Sequence, residues 1–221
     1  GAATKESKDE DIDKVLKKAE DRMYFNKLKE SKEAKLSMIE ALKTRLEKIA
    51  FETKSHYERL KILCMKMADA LNLPETEKEE LRLLCEFHDI GKVGIPENIL
   101  QKQDALNNED WEHLRRHSEI GYYISKEFKD ASPIDELILI HHERWDGKGY
   151  PGLLKNEEIP VVVRIFAIAD AYDVMVNERP YKAKMSSRQA LLEIKNKSGS
   201  QFDPNIAKMF IKIMEVEDMA V

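Results

Sequence analysis

Apolar residues recur along this chain at intervals of three and four, the spacing of one helical face, and nowhere alternate one for one over a useful length. From about Lys32 to Leu73, Ile39, Leu42, Leu46, Ile49, Thr53, His56, Leu60, Leu63, Met67 and Ala70 form a heptad seam, which predicts one long helix near the N-terminus. Pro74 with Glu75-Thr76-Glu77 marks a stop and a restart, and the next helix is expected over residues 77–89, with Leu81, Leu84, Cys85 and His88 on one face. Asn107-Asn108-Glu109-Asp110 supplies a cap and an acidic first turn to a helix that carries Leu114, His117, Gly121, Ile124 and Phe128 in heptad spacing. Ser132-Pro133 opens another, in which Ile134, Leu137, Ile138 and His141 share a face. An almost wholly apolar helix follows from about Pro160 to Asn177, and Asp203-Pro204 caps a last one ending near Glu215. Residues 11–32 read as a charged helix with a thin apolar stripe, and residues 1–10 as a polar, frayed tail. The class is all-α, a bundle of about seven to nine helices.

Two interruptions matter more than the helices. In Phe87-His88-Asp89-Ile90-Gly91-Lys92-Val93-Gly94-Ile95-Pro96, two glycines permit a tight turn and the proline forbids helix continuation, so Lys92 is brought back over His88 and Asp89. In Trp145-Asp146-Gly147-Lys148-Gly149-Tyr150-Pro151-Gly152, three glycines and a proline in eight residues can only be a loop.

Composition changes the picture by exclusion. The 221 residues are 36% charged but carry a net charge of only −5, which suits mixed-sign surfaces and argues against a binder of nucleic acid polymers. No run approaches the roughly 18 apolar residues of a membrane span, and Gly1-Ala2-Ala3-Thr4-Lys5 lacks the apolar region of a signal peptide, so a cytoplasmic chain without a membrane segment is expected. The absence of an initiator Met hints at a fragment of a longer parent. Cys64 and Cys85 lie in helical patterns without Cys-x-x-Cys spacing and read as reduced core residues.

The chemistry lies in the histidines. Of six, four (His56, His88, His117 and His141) fall on apolar seams of separate helices, and His142 adjoins one of them. A single inward imidazole is usually a satisfied core group, but four, together with Asp89 and the acids Asp170 and Asp173 of an apolar helix, are hard to reconcile with packing alone. Each buried and unpaired ring costs about 1–3 kcal/mol, and a shared cation satisfies them together. Imidazole and carboxylate without thiolate suit iron, manganese or zinc better than calcium or magnesium. The ligands are too many for one tetrahedral ion, so two ions bridged by the two oxygens of Asp89 form the economical arrangement.

The stretches His88-Asp89-Ile90-Gly91-Lys92, His141-His142-Glu143-Arg144-Trp145-Asp146-Gly147-Lys148-Gly149-Tyr150-Pro151 and Arg179-Pro180-Tyr181-Lys182 closely resemble the HD-GYP family, bacterial hydrolases of cyclic di-GMP within the HD phosphohydrolase superfamily. Ile95-Pro96-Glu97-Asn98-Ile99-Leu100, Ala169-Asp170-Ala171-Tyr172-Asp173 and Phe202-Asp203-Pro204 match in order and spacing, so the resemblance covers residues 48–214. It implies an HD-type helical bundle over residues 51–221, preceded by a linker or stalk helix over 33–50 that could serve a homodimer, and by a polar tail and helix over 1–32. The metal ligands it implies are His56, His88, Asp89, His117, His141, His142 and Asp170, leaving Asp173 as a hydrogen-bonding acid. Glu52, four residues before His56, resembles the ligand of a third metal in some members. Tyr57 stands where the family usually has Ser, and Gln101-Lys102-Gln103-Asp104 replaces a usual Lys-Pro-Gly turn. Residues 11–32, through Ala19-Glu20-Asp21-Arg22-Met23-Tyr24, weakly resemble the last helix of a GGDEF domain, which would place such a domain, or another signalling partner, upstream.

The function so implied is hydrolysis of cyclic di-GMP to pGpG, and onward to GMP, by two or three divalent transition ions, iron or manganese, through a bridging hydroxide. Asp89 and Lys92 are the expected catalytic residues, Lys92 binding phosphate or protonating the leaving sugar oxygen. Lys92, Arg179, Lys182 and Tyr150 are the expected substrate contacts. The alternative is a module that senses cyclic di-GMP or binds a partner with little turnover.

Overall fold

Thr53 cuts the long seam in two. The structure, a computed structural model, describes residues 3–4, 11–13, 15–17, 19, 32–50, 53–126, 134–177 and 184–218. In it helix α1 (Lys32–Ile49) ends, Thr53 is extended (φ −90°, ψ 152°), and its hydroxyl accepts a hydrogen bond from the His56 N–H at 3.2 Å to start helix α2 (Lys54–Ala70). A side-chain acceptor there satisfies an amide that the first helical turn leaves orphaned. The single long N-terminal helix expected from the heptads is therefore corrected to two. The seam persists because each half buries it: Leu42, Leu46 and Ile49 in α1, and His56, Leu60, Leu63 and Met67 in α2.

The other elements from Lys32 onward are α3 (Glu75–Phe87), α4 (Glu97–Leu100), α5 (Asn108–Arg115), α6 (His117–Lys126), α7 (Ile134–Ile140), α8 (Val161–Val176), α9 (Ser187–Lys197) and α10 (Pro204–Asp218), with 3-10 turns at Ile90–Gly94 and Asn156–Glu158. Among the described residues the sole β pairing is an isolated bridge between Ser198 and Phe202, so the all-α expectation holds. Asn107 caps α5 as expected, its side chain accepting from the Asp110 N–H at 2.8 Å while Asp110 accepts from the Asn107 N–H at 2.9 Å. The helix expected to run on through His117 instead breaks at Arg116, whose N–H reaches back only three residues to His113 O (3.2 Å) before α6 begins. Helix α9 has no counterpart among the expected elements, because its apolar stripe is short; it buries only Ala190, Leu191 and Ile194.

Helix α8 is the centre of the main core. It buries Val162, Val163, Ile165, Phe166, Ile168, Ala169, Tyr172 and Met175, residues on all sides, because α2, α3, α9 and α10 pack around it. A second, smaller core joins Leu42 and Leu46 of α1 to Ile90 and Val93 of the 3-10 turn and Ile124 of α6. The seam of α1 that could have served a dimer is thus engaged, from Leu42 on, within the chain.

The 3-10 turn lies against α6 because residue 91 is glycine. A Cβ at that position would sit 1.9 Å from the His117 carbonyl oxygen and 2.4 Å from the Gly121 nitrogen, both backbone atoms that no rotamer change can move aside. This contact sets His88-Asp89 beside the start of α6. Among the described residues no helix is long and apolar enough to cross a membrane.

Candidate metal centre

Most of the polar residues that meet between these helices stand at chain ends of elements, where the backbone changes direction. His88 is the residue that closes α3, Asp89 precedes the 3-10 turn, His117 opens α6, and His141 and His142 follow the last residue of α7. His56 lies in the first turn of α2 and Asp170 on α8. Together they make two groups whose candidate ligand atoms lie within 4.8 Å of one another: Asp89, His117, His141 and His142 in one, and His56, His88 and Asp170 in the other. All seven expected core ligands are therefore brought together, and His113 is not among them.

Asp89 links the groups. Its Oδ1 lies 3.5 Å from His117 Nε2 and its Oδ2 3.1 Å from His88 Nε2, so each oxygen faces one group. In the second group His56 Nε2 is 3.6 Å from Asp170 Oδ1.

The histidines are aimed by their other nitrogen. Nδ1 of His117 lies 2.6 Å from Leu114 O, Nδ1 of His141 2.6 Å from Ile138 O, and Nδ1 of His88 3.3 Å from Cys85 O, in each case the carbonyl three residues earlier. A carbonyl only accepts, so Nδ1 carries the proton and Nε2 presents its lone pair to the centre. His56 reaches the same result through Asp173, whose Oδ2 lies 2.7 Å from Nδ1. Asp173 is held in turn by Arg59, with Nε donating to Oδ1 at 2.6 Å and an Nη2 donating to Oδ2 at 2.9 Å, and by the Asn177 amide at 2.8 Å. Burial works to raise the Asp173 carboxyl pKa, but the His56 and Arg59 hydrogen bonds outweigh it and hold the group below the usual carboxylate range.

The donor set fits metal ions on one observation above the rest. The Nε2 atoms of His117 and His141 face each other at 3.3 Å while both Nδ1 atoms are committed to carbonyls. A hydrogen bond between them would need one ring to be an imidazolium. Burial opposes that charge, pushing the pKa of His117 down and those of His141 and His142 well down. Two facing lone pairs are relieved by a cation between ligands. The carboxylate of Asp89 is ionised: burial acts to raise its pKa, but Lys92, His88 and His117 outweigh it and hold it well below the usual range. Imidazoles with carboxylates and no thiolate suit a divalent transition ion held through nitrogen and oxygen; Cys64 and Cys85 are free thiols in the core and belong to neither group.

Lys92 donates to Asp89 Oδ2 at 2.6 Å, which places its ammonium beside the linking carboxylate. Tyr150 stacks on the His142 ring, with centroids 4.7 Å apart and planes at 31°, and presents an edge to His117 at 6.2 Å. Glu52, Arg179 and Lys182 lie outside the described residues.

Sequence reasoning missed the residues that hold the glycine-rich loop against this centre. Glu143 is 3% exposed, and its Oε1 accepts from the Gly152 N–H at 2.9 Å and the Leu153 N–H at 2.6 Å. Gly149 folds onto the backbone of the His-His turn so closely that a Cβ would lie 2.5 Å from both His142 O and Arg144 N. From behind, Arg164 donates to Asp203 Oδ2 at 2.6 Å and lies over the Trp145 ring, while the Trp145 and Asp146 amides bond Gln201 O (3.2 Å) and Ser200 O (2.8 Å). The Phe202-Asp203-Pro204 motif is thereby explained as a support for the loop. A charged residue directly after His142 was the one signal available for Glu143.

The HD domain family profile matches residues 37–206. Among curated proteins, the chain is 39% identical over 173 residues to a cyclic di-GMP phosphodiesterase of Thermotoga maritima, a match covering 76% of this chain and 46% of that protein. It is 31% identical over 190 residues to 3'3'-cGAMP-specific phosphodiesterase 2 of Vibrio cholerae, covering 85% of this chain and 36% of that protein. The chain spans less than half the length of each of these two relatives. Among solved structures, a cyclic GMP-AMP-specific phosphodiesterase of Vibrio cholerae superposes with a TM-score of 0.62 at 22% identity, covering 80% of this chain and 48% of that one. An HDG"Y"P protein of Bdellovibrio bacteriovorus superposes at 0.61 with 15% identity, covering 96% and 75%. At such identities the likeness is one of fold. Because the profile match runs from α1 into α10 and takes in every one of the seven clustered residues, the chain belongs to the HD domain family.

Proposed function

We propose that this chain is a metal-dependent phosphodiesterase that hydrolyses cyclic di-GMP to pGpG and onward to GMP. The observation that carries the reading is the pair of ligand groups joined by the two oxygens of Asp89, because phosphodiester cleavage needs both a nucleophile at neutral pH and neutralisation of an anionic phosphoryl group. Two divalent ions, when bound, supply both. His56, His88, Asp89 and Asp170 would hold one and Asp89, His117, His141 and His142 the other. The carbonyls of Cys85, Leu114 and Ile138, with Asp173, keep the four anchored rings in their ligating tautomer. Lys92 stands where it can bind a phosphoryl oxygen or give a proton to the departing sugar oxygen. Tyr150, packed on His142, walls the centre on its loop side. Arg179 and Lys182 contact the nucleotide in this reading, and the metals are iron or manganese.

The relatives' names include both cyclic di-GMP and 3'3'-cGAMP, so the decisive assay offers both. Protein prepared without oxygen and loaded with iron or manganese should convert cyclic di-GMP to pGpG and GMP, resolved by chromatography, and should favour it over 3'3'-cGAMP. A preference for 3'3'-cGAMP would move the substrate; no turnover of either would leave a cyclic dinucleotide sensor. Glu52 as ligand of a third ion belongs to the same proposal. Its Ala variant should hold one ion fewer per chain by elemental analysis, with unchanged helix content by circular dichroism, since Ala is the better helix former. Equal metal content would make Glu52 a surface residue.

A further inference from the structure

One cation at the rim of this centre has no part in the chemistry above. Arg115 is the last residue of α5, two positions before His117, and is exposed. Its guanidinium carbon lies 5.5 Å from the centroid of the Tyr150 ring. Arg59, Arg82, Arg144 and Arg164 are each paired with a carboxylate at 3.0 Å or less, whereas Arg115 has no acidic partner among the described residues. An arginine held over an aromatic ring by cation–π attraction spends none of its N–H donors on a carboxylate, so they stay open for an acceptor. The ring that holds it is the one stacked on His142, a member of the first ligand group. Arg115 is therefore one aromatic ring away from His142, on the side of the glycine-rich loop that carries Tyr150.

We infer that Arg115 is a substrate-binding residue that takes the second, non-scissile phosphate of a cyclic dinucleotide, with Tyr150 as its platform. The inference rests on the phosphodiesterase reading. A cyclic dinucleotide carries two phosphodiesters, and only one can lie at the Asp89–Lys92 pair. The other brings an anion to the rim, where a planar fork of donors matches two phosphate oxygens at once. A single-phosphate ester has no such group and gains nothing from Arg115.

The test compares metal-loaded wild type, Arg115→Ala and Arg115→Lys on cyclic di-GMP and on bis(p-nitrophenyl) phosphate. For Arg115→Ala, KM for cyclic di-GMP should rise by about ten- to a hundredfold, the range of a charge-assisted contact, with kcat changed less than about twofold. The salt dependence of that KM should weaken, Lys should recover part of the loss, and turnover of bis(p-nitrophenyl) phosphate and metal content should match wild type. An unchanged KM in a variant of an active enzyme overturns the assignment. So does an equal loss on both substrates with loss of metal, which would make Arg115 a mere prop for Tyr150. If wild type cleaves bis(p-nitrophenyl) phosphate but no cyclic dinucleotide, the phosphodiesterase reading fails at its substrate, and the role of Arg115 fails with it.

Discussion

At the scale of single residues, what separates a ligand from a neighbour is which nitrogen or oxygen has been used elsewhere. His56 is usable because Asp173 occupies its Nδ1, and Asp173 can do so because Arg59 holds both carboxylate oxygens. Asp173→Asn removes the charge that orients and enriches the His56 ring and leaves Arg59 without its ion pair. Metal affinity should fall about ten- to a hundredfold, as is typical when such an outer partner is changed, and the protein should lose about 1–2 kcal/mol of stability. Metal titration and denaturant unfolding of the variant measure the two losses; wild-type affinity would show that His56 needs no such support. The seven residues that cluster were legible because imidazoles on apolar seams are conspicuous and because the motifs fix their spacing. Asp173 as a hydrogen-bonding acid was legible too, through the motif. Arg59 was not, since a partner 114 residues away from Asp173 leaves no periodic trace. Neither were Asn177 and Glu143, whose roles lie in hydrogen bonds to a side chain and to loop amides rather than in an apolar pattern.

At the scale of elements, the centre is built from interruptions. A helix end can turn a side chain toward a point that a continuous helix would carry past, and His88, Asp89, His117, His141 and His142 all stand at such ends. The same fact explains what the hydrophobic pattern concealed. Heptad spacing continued through Thr53 and through Arg116, because the seam residues on both sides are buried or half-buried, yet a side-chain cap at Thr53 starts a new helix and a three-residue hydrogen bond at Arg116 ends one. Gly91 is the tightest of these junctions, and Gly91→Ala pushes a Cβ into the backbone of α6. The 3-10 turn must then move away from His117, separating Asp89 from its group. A loss of about 3 kcal/mol or more is expected in thermal or denaturant unfolding, together with fewer bound ions in elemental analysis. Unfolding and metal content like those of wild type would mean that the turn and α6 do not touch as described.

At the scale of the whole molecule, two cores hold the site between them. The large one, around α8, fixes His56, His88, His141 and Asp170 relative to one another, and the small one ties α1 to the turn that carries Asp89 and Lys92. The all-α class and the central apolar helix were readable in advance, while α9 and the second core were not, because short stripes and contacts between distant helices have no local period. Two groups of candidate ligands share one carboxylate, and activity is expected to depend on both. The direct measurement titrates iron or manganese into metal-free protein without oxygen while following hydrolysis of cyclic di-GMP, for wild type and for Asp89→Ala. Turnover should be absent without metal and rise only as a second ion per chain is bound. Asp89→Ala should lose ions from both groups and fall by at least about a hundredfold in rate, the scale expected when a catalytic electrostatic element is removed. Wild-type turnover by metal-free protein, full activity with a single ion, or an Asp89→Ala variant that keeps both its metal and its rate would contradict that dependence.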